Sequence, residues 1–362
     1  MSLLTSNYLT PTGREEAWRF TPLHRLGGLL DHDVSVVEGE NLVATGEPVS
    51  GVSYSIIAAD GFESGYIPTD QVVLRGREVT SQISLLTIAK ECEVQNPIYL
   101  QRQGGEGLPS FSRLVISLET HARATVVIEN SGSAIVAEEI EIRLAAGANL
   151  TFISLQEWER DAVHMAGHHA IIGKDAAFTS FEISVGGSLV RLLPTVEYSG
   201  PGSTAQLNGL YFATNGQHLE NRIHVDHNIA QAKSRVNYKG ALAGANARSV
   251  WIGDVFIRAA AEGTDTYELN RNLLLSDGAR ADSVPNLEIE TGEIVGAGHA
   301  STTGRFDDEQ LFYLQSRGIP AEVARKLVIR GYFSEIINLI GISTIADRLM
   351  ARIDSELEKV GE

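Results

Sequence analysis

Across the middle of the chain, apolar and polar residues alternate in short runs, as in Leu114-Val115-Ile116-Ser117-Leu118, Ala124-Thr125-Val126-Val127-Ile128 and Ile140-Glu141-Ile142-Arg143-Leu144. A period of two with many β-branched residues predicts strands from about Val72 to Ile294, a span in which helical periodicity is nearly absent. Clusters of small residues punctuate the runs: Ala146-Gly147-Ala148, Lys174-Asp175-Ala176-Ala177, Pro201-Gly202-Ser203, Ala243-Gly244-Ala245, Glu262-Gly263-Thr264 and Asp277-Gly278-Ala279. The first three lie about 28 residues apart and the later ones about half that, the spacing of stacked strands with several turns per rung. The fold class read from this is mainly β, a parallel β-helix. An antiparallel sandwich would favour Asn-Gly or Asp-Gly loops, and only Asp277-Gly278 is of that kind.

At both ends the period changes. Residues 1–71 read as a helical and loop-rich segment, with Trp18 and Phe20 of REEAWRFTPLHRLGGLL as anchors and a break at Gly27-Gly28. Residues 72–304 form the β-helix core and residues 305–362 a helical domain. There Asp307 is placed to cap, Gln310 follows three residues on as in a capping box, Leu311 and Leu314 begin an apolar face, and Gly318 ends the helix. Pro320 starts the next helix, with Val323, Leu327, Val328, Ile336, Ile337 and Ile340 as its stripe, and Ser343 opens a charged final one. Such a domain is expected to cap the β-helix and dock a partner.

A chain of 362 residues with 43% hydrophobic content has ample material for a core. Its net charge of −17 argues against a sequence-independent grip on nucleic acid or anionic lipid. No run approaches about eighteen apolar residues, and Met1 to Thr12 lacks the charged start and apolar core of an export signal, so a soluble cytoplasmic protein is expected. Cys92 is the single cysteine. A disulfide framework, or a cluster or zinc site made from this chain's thiolates alone, is therefore excluded, and Cys92 reads as a small buried hydrophobe.

The histidines invite a metal reading. His164, His168 and His169 are closely spaced, but on a strand His164 and His168 share a face at roughly 13 Å by strand rise, too far for one ion unless the chain turns at Gly167. His224 and Asp226 of His224-Val225-Asp226-His227 read as outer-face polar residues. There is no Gly-x-x-x-x-Gly-Lys-Ser/Thr loop, since Gly173-Lys174 is followed by Asp175, and no Gly-x-Ser-x-Gly elbow. Any nucleotide dependence must come from a partner.

LNRNLLLSDGARADSVPNLEIETGEIVGAGHASTTGRFDDEQLFYLQSRGI, from Leu269 to Ile319, resembles the SufB/SufD family of iron-sulfur cluster assembly proteins. YKGALAGANARSVWIGDVFIR, from Tyr238 to Arg258, is similar to it as well, and REEAWRFTPL resembles the family's SufD branch. The resemblance implies a right-handed parallel β-helix between a short N-terminal helical segment and a C-terminal helical domain. It also implies a non-catalytic scaffold subunit, paired along its β-helix edge with a SufB-like subunit, its C-terminal helices engaging a SufC-type ATPase; a homodimer in isolation stays open. No cofactor would be held stably by this chain alone, only a transient iron or iron-sulfur cluster at the shared interface.

SufB-like chains carry a cysteine in the segment matching Ser276 to Ala281, where this chain has Ala279 and no thiol. That favours the SufD branch over a SufB-type primary scaffold. His299 falls where SufD chains place the histidine that faces the SufB cysteine, which implies a ligand to iron or cluster supplied in trans, or an acid/base neighbour of the thiol. Ala297 stands where many SufD chains have a cysteine, which leaves imidazole ligation as the available chemistry. Phe312, Tyr313 and Arg317 lie in the region corresponding to the SufC-binding helices and suit an interface core. The rivals are the primary scaffold, a β-helical carbohydrate-active enzyme and a metal enzyme using His164, His168 and His169.

Overall fold

Every rung but the last turns at a corner whose backbone few residues tolerate. Glu91, His121, Gly147, Asp175, Gly202, Gln231 and Gly263 all have positive φ, a conformation cheap for glycine and uncommon for the others. They form one column: the amide of His121 donates to the carbonyl of Ala146, Gly147 to Lys174 and Asp175 to Pro201, at 2.9 to 3.0 Å. Gly187, Gly216, Asn246 and Gly278 mark the other edge with the same sign of φ. The small-residue clusters thus belong to two columns, which is why their apparent spacing halves late in the chain.

The computed structural model describes residues 10–39, 42–105, 107–306 and 308–360. Strands alternate between a ten-stranded and a nine-stranded sheet. Val163–Ile172 pairs in parallel with Ile135–Leu144 on one side and Leu189–Tyr198 on the other. The fold is a parallel β-solenoid with two strands per rung. Antiparallel strands, Val52–Ala58 on Gln82–Ile88 and Val43–Thr45 on Ile98–Gly104, cover the first end. At the other end no described strand lies beyond Arg280–Ile289 or Gly296–Arg305, so the last rung is an open edge.

Three cores result. Between the sheets run Leu114, Ile140, Phe152, Leu192, Tyr211, Leu242 and Trp251. On the outer face of the ten-stranded sheet, Trp18, Leu26, Leu29 and Leu30 pack with Phe111, Val163, Met165 and Leu189. On the outer face of the other, Ile329, Phe333, Ile336 and Ile337 meet Ile153, Phe181, Leu210 and Phe212. Both faces of both sheets are therefore buried over much of their area.

Helices α1 (Gln71–Val79), α2 (Asp308–Ser316), α3 (Ala321–Leu339) and α4 (Ser343–Val360) complete the described elements. The REEAWRF stretch, expected to be helical, forms turns and a single 3-10 turn at Leu23–Arg25. Pro22 and the positive-φ Gly27 and Gly28 interrupt it, and its apolar residues gain more by lying on the sheet. The segment from Val72, read as strand, is α1. Asp70 caps it by accepting from the amides of Val72 and Val73, and these two valines face the sheet.

The C-terminal helices do not cap the solenoid, as expected from sequence; they lie along its side, because the apolar outer face of the nine-stranded sheet offers more area than its end. Gly318 follows α2 with φ +85°, the expected stop, and Asp307 lies outside the described residues. Val323 and Leu327, placed in the α3 stripe, are exposed, and the buried face is carried by Ala324, Ile329, Phe333, Ile336 and Ile337. No helix among the described residues is long and apolar enough to cross a membrane.

Candidate functional site

The solenoid interior carries a polar column. His164 and His168 point inward from Val163–Ile172 and are buried, as are Glu138 on the preceding rung and Glu182 across from them. The rise along the strand is bridged by side-chain reach: His164 Nε2 lies 3.1 Å and His168 Nε2 3.8 Å from the same Glu138 Oε1. His168 Nδ1 donates to Glu182 Oε1 at 2.8 Å. Arg102 donates to Glu138 Oε2 at 2.7 Å, and to Asn130 and Ser112.

Burial alone would lower the His168 pKa, but the Glu182 charge and hydrogen bonds to Glu138 and Glu182 outweigh it and push it up to about 10. For Glu138 burial is outweighed by Arg102, His164 and His168, which hold its carboxyl well below the ordinary range. His164 is lowered, burial being the largest cause. Among the described residues no three His, Cys, Asp or Glu side chains are arranged to hold a metal ion. In this column His168 pairs with Glu182, and His164 faces Glu138. His169 faces outward, its ring stacked 3.8 Å from that of Tyr66 with Nδ1 2.6 Å from Thr195 Oγ1. His224 and Asp226 also lie on the outer face, Asp226 paired with Arg258.

The polar column continues to the open end. The Tyr211 hydroxyl donates to Asn272 Oδ1 at 2.6 Å, Asn272 Nδ2 donates to Asn270 Oδ1 at 2.7 Å, and Ser283 Oγ donates to that same oxygen at 2.8 Å. Ser301 Oγ donates to Ser283 Oγ at 2.7 Å, tying the two terminal strands together. His299 lies on the last strand in register with Glu268. Its side chain is 41% exposed, and its Nδ1 stands 3.7 Å from Glu268 Oε1.

Glu268 is fully buried, and neither of its carboxylate oxygens has a hydrogen-bond partner. Burial, with the Asp254 charge adding, pushes this carboxyl up to about 8. Gly253 makes room for it: a Cβ there would lie 2.2 Å from Glu268 Oε2. Cys92 is at the opposite end, half-buried against the first rungs with Sγ 3.4 Å from the Ser50 carbonyl. A thiol at the open end must therefore come from another chain.

On α2, Phe312 and Tyr313 are 72% and 57% exposed, and the Arg317 guanidinium lies 5.2 Å from the Tyr313 ring centroid. The exposed Val323 and Leu327 of α3 add to the apolar surface of this helical region. His299, Phe312, Tyr313 and Arg317 are all at the surface, whereas His164 and His168 are interior.

Sequence reading missed Glu268, Asn270 and Asn272. Their alternation with Tyr267, Leu269, Arg271 and Leu273 is visible, but parity alone assigns the leucines to the core. It is the carboxylate and amides that point inward here.

A family model described as SUF system FeS cluster assembly, SufBD core domain, matches residues 100–332. An iron-sulfur cluster assembly SufBD family protein of Mycobacterium bovis is 47% identical across 96% of this chain and 89% of its own length. One of Mycobacterium leprae is 47% identical across 96% of this chain and 90% of its own length. The iron-sulfur cluster assembly protein SufD of Escherichia coli is 25% identical across 96% of this chain and 89% of its own length.

Proposed function

The chain belongs to the SufBD family of iron-sulfur cluster assembly proteins, and we propose that within it this is a SufD-like scaffold subunit that does no chemistry alone. Its open rung pairs with a SufB-like subunit, its C-terminal helices receive a SufC-type ATPase, and His299 meets iron or the nascent cluster at the shared edge. The observation that carries this reading is the exposed His299 imidazole on an unpaired terminal rung.

Unpaired strand edges are satisfied by a partner strand, and a neutral imidazole is an iron ligand. The chain's one thiol lies at the other end, so the sulfur-accepting cysteine belongs to the partner, which sets this chain apart from a primary scaffold. Phe312, Tyr313 and Arg317 present the aromatic and guanidinium chemistry of an interface core. The compartment that fits such an assembly is the cytoplasm.

The test is co-purification with the SufB-like and SufC-type proteins of the same genome, followed by cluster reconstitution with His299 intact and with His299→Ala. The complex is expected to form in both cases, with cluster yield falling by about tenfold or more in the variant, the scale on which even outer partners of metal ligands act. Normal yield without the imidazole would leave only a structural platform. Failure of the three chains to co-purify would sink the partnership itself.

A further inference from the structure

At the open end a second group is poised as His299 is, and sequence reading assigned it nothing. Glu268 sits beneath His299 in register, fully buried, with both oxygens free of any hydrogen-bond partner. Leaving such a group unpaired costs about 1–3 kcal/mol. The Trp251 Nε1 donor, also buried, is likewise unpartnered. Gly253 holds open the space the carboxylate occupies, since a Cβ would come within 2.2 Å of Oε2.

The separation of the two donors has a chemical meaning. At 3.7 Å, Glu268 Oε1 and His299 Nδ1 are beyond a hydrogen bond. A first-row divalent ion held about 2.0–2.2 Å from each of two donors sets them roughly 3.4 Å apart. Imidazole with carboxylate is a donor set suited to ferrous iron.

Resting on the reading of His299 above, we infer that Glu268 is a second protein ligand at the open end, taking ferrous iron jointly with His299 and leaving the remaining positions to the partner subunit and solvent. Among the described residues no third His, Cys, Asp or Glu joins the pair, so this chain fills two of the ion's positions, with water in the others when it is alone. The carboxylate would thus hold iron at this rung before sulfur arrives, and the chain would act as an iron-receiving half-site.

The test uses cobalt(II), whose visible absorption reports its ligands, titrated into the full-length chain without oxygen. Glu268→Gln keeps the shape of the side chain and removes its charge; Glu268→Asp keeps the charge and withdraws the oxygens by one methylene. Both are checked for unchanged circular dichroism and thermal midpoint. Wild type is expected to show a saturable band, with Glu268→Gln, Glu268→Asp and His299→Ala each weakening binding by about tenfold or more. The Glu268→Gln/His299→Ala pair should lose less than the sum of the two single losses, as groups sharing one ion are non-additive.

Binding lost with His299→Ala but kept with both Glu268 variants would overturn the inference and leave the His299 reading standing. Binding unaffected by any of the three would place the ion elsewhere and count against both. A wild-type chain that takes up no cobalt overturns the Glu268 assignment, while reconstitution with His299→Ala still decides the other.

Discussion

Replacing Glu138 by alanine is expected to lower the free energy of unfolding by about 3–5 kcal/mol, the cost of breaking a buried ion pair from one side. Glu138 is the hub of the interior network, with Arg102 on one oxygen and His164 and His168 facing the other. Without it the Arg102 guanidinium keeps only the neutral oxygens of Asn130 and Ser112. His168 keeps Glu182 alone. Replacing Arg102 and Glu138 together by leucine should recover much of the loss, because the penalty comes from the uncompensated charge rather than from the pair's net worth. Urea unfolding followed by circular dichroism reads both, and a single-variant loss under about 1 kcal/mol would mean that water or rearrangement relieves the buried charge.

The same network sets limits on pH. The folded pKa of His168, near 10, is above its ordinary 6.5, so its contribution is fully present below about 6.5 and is lost as pH rises through about 10. The Glu138 pKa is depressed below its ordinary 4.5, so its contribution is present above about 4.5 and is lost as pH falls toward the folded value. Together they favour a plateau between about 4.5 and 6.5, with stability declining on either side. In Glu138→Ala the alkaline decline should begin at the same pH but be smaller and end at a lower one, since part of what raises His168 has gone. A thermal midpoint series with identical alkaline limbs in the two proteins would show that His168 does not feel Glu138.

How far the sequence reaches into this molecule depends on how many sides of each residue are buried. Corners were legible because positive φ selects glycine or short polar residues, and a recurring Ala146-Gly147-Ala148 type of cluster announces them. Corners occupied by Gln231 or His121 carry no such mark, so the rung was under-read and two columns merged into one. Strands were legible but their faces were not. Helices and the N-terminal segment cover both sheets from outside, so Leu210 and Phe212 alternate with Tyr211 while all three are buried, and alternation stops reporting inside from outside.

His299 was reached through a resemblance, not through its surroundings. Glu268, two strands earlier in the chain, could be joined to it only by knowing the register of Asp265–Leu274 with Gly296–Arg305. The stripe on α3 failed at Val323 and Leu327 for a related reason. Periodicity identifies apolar positions on a helix, but not which of them the neighbouring elements cover: Ala324 is buried between the exposed Val323 and Leu327.

Gly240→Ala is expected to destabilise the solenoid by about 3–5 kcal/mol, combining overpacking of about 1–3 kcal/mol with disrupted buried hydrogen bonds. In the central rungs Gly209 is in register with Tyr238, and Tyr211 with Gly240, so each ring lies over the glycine of the neighbouring strand. A Cβ on Gly240 would stand 1.8 Å from Tyr211 Cε2, and one on Gly209 1.9 Å from Tyr238 Cε1. Neither ring can retreat, since Tyr211 and Tyr238 are fully buried and close packing transmits the displacement. For Tyr211 the displacement also pulls its hydroxyl from Asn272 and Asn270, the residues that lead through Ser283 to Ser301 on the terminal rung. Gly304→Ala is the control: nothing lies within 4 Å of a Cβ there, and a change within about 0.5 kcal/mol is expected. If Gly240→Ala unfolds in urea at the same midpoint as Gly304→Ala, the glycine–tyrosine pairs are not what seats these rungs. If it unfolds earlier and also weakens cobalt binding at His299, the interior network positions the open end as well as supporting the fold.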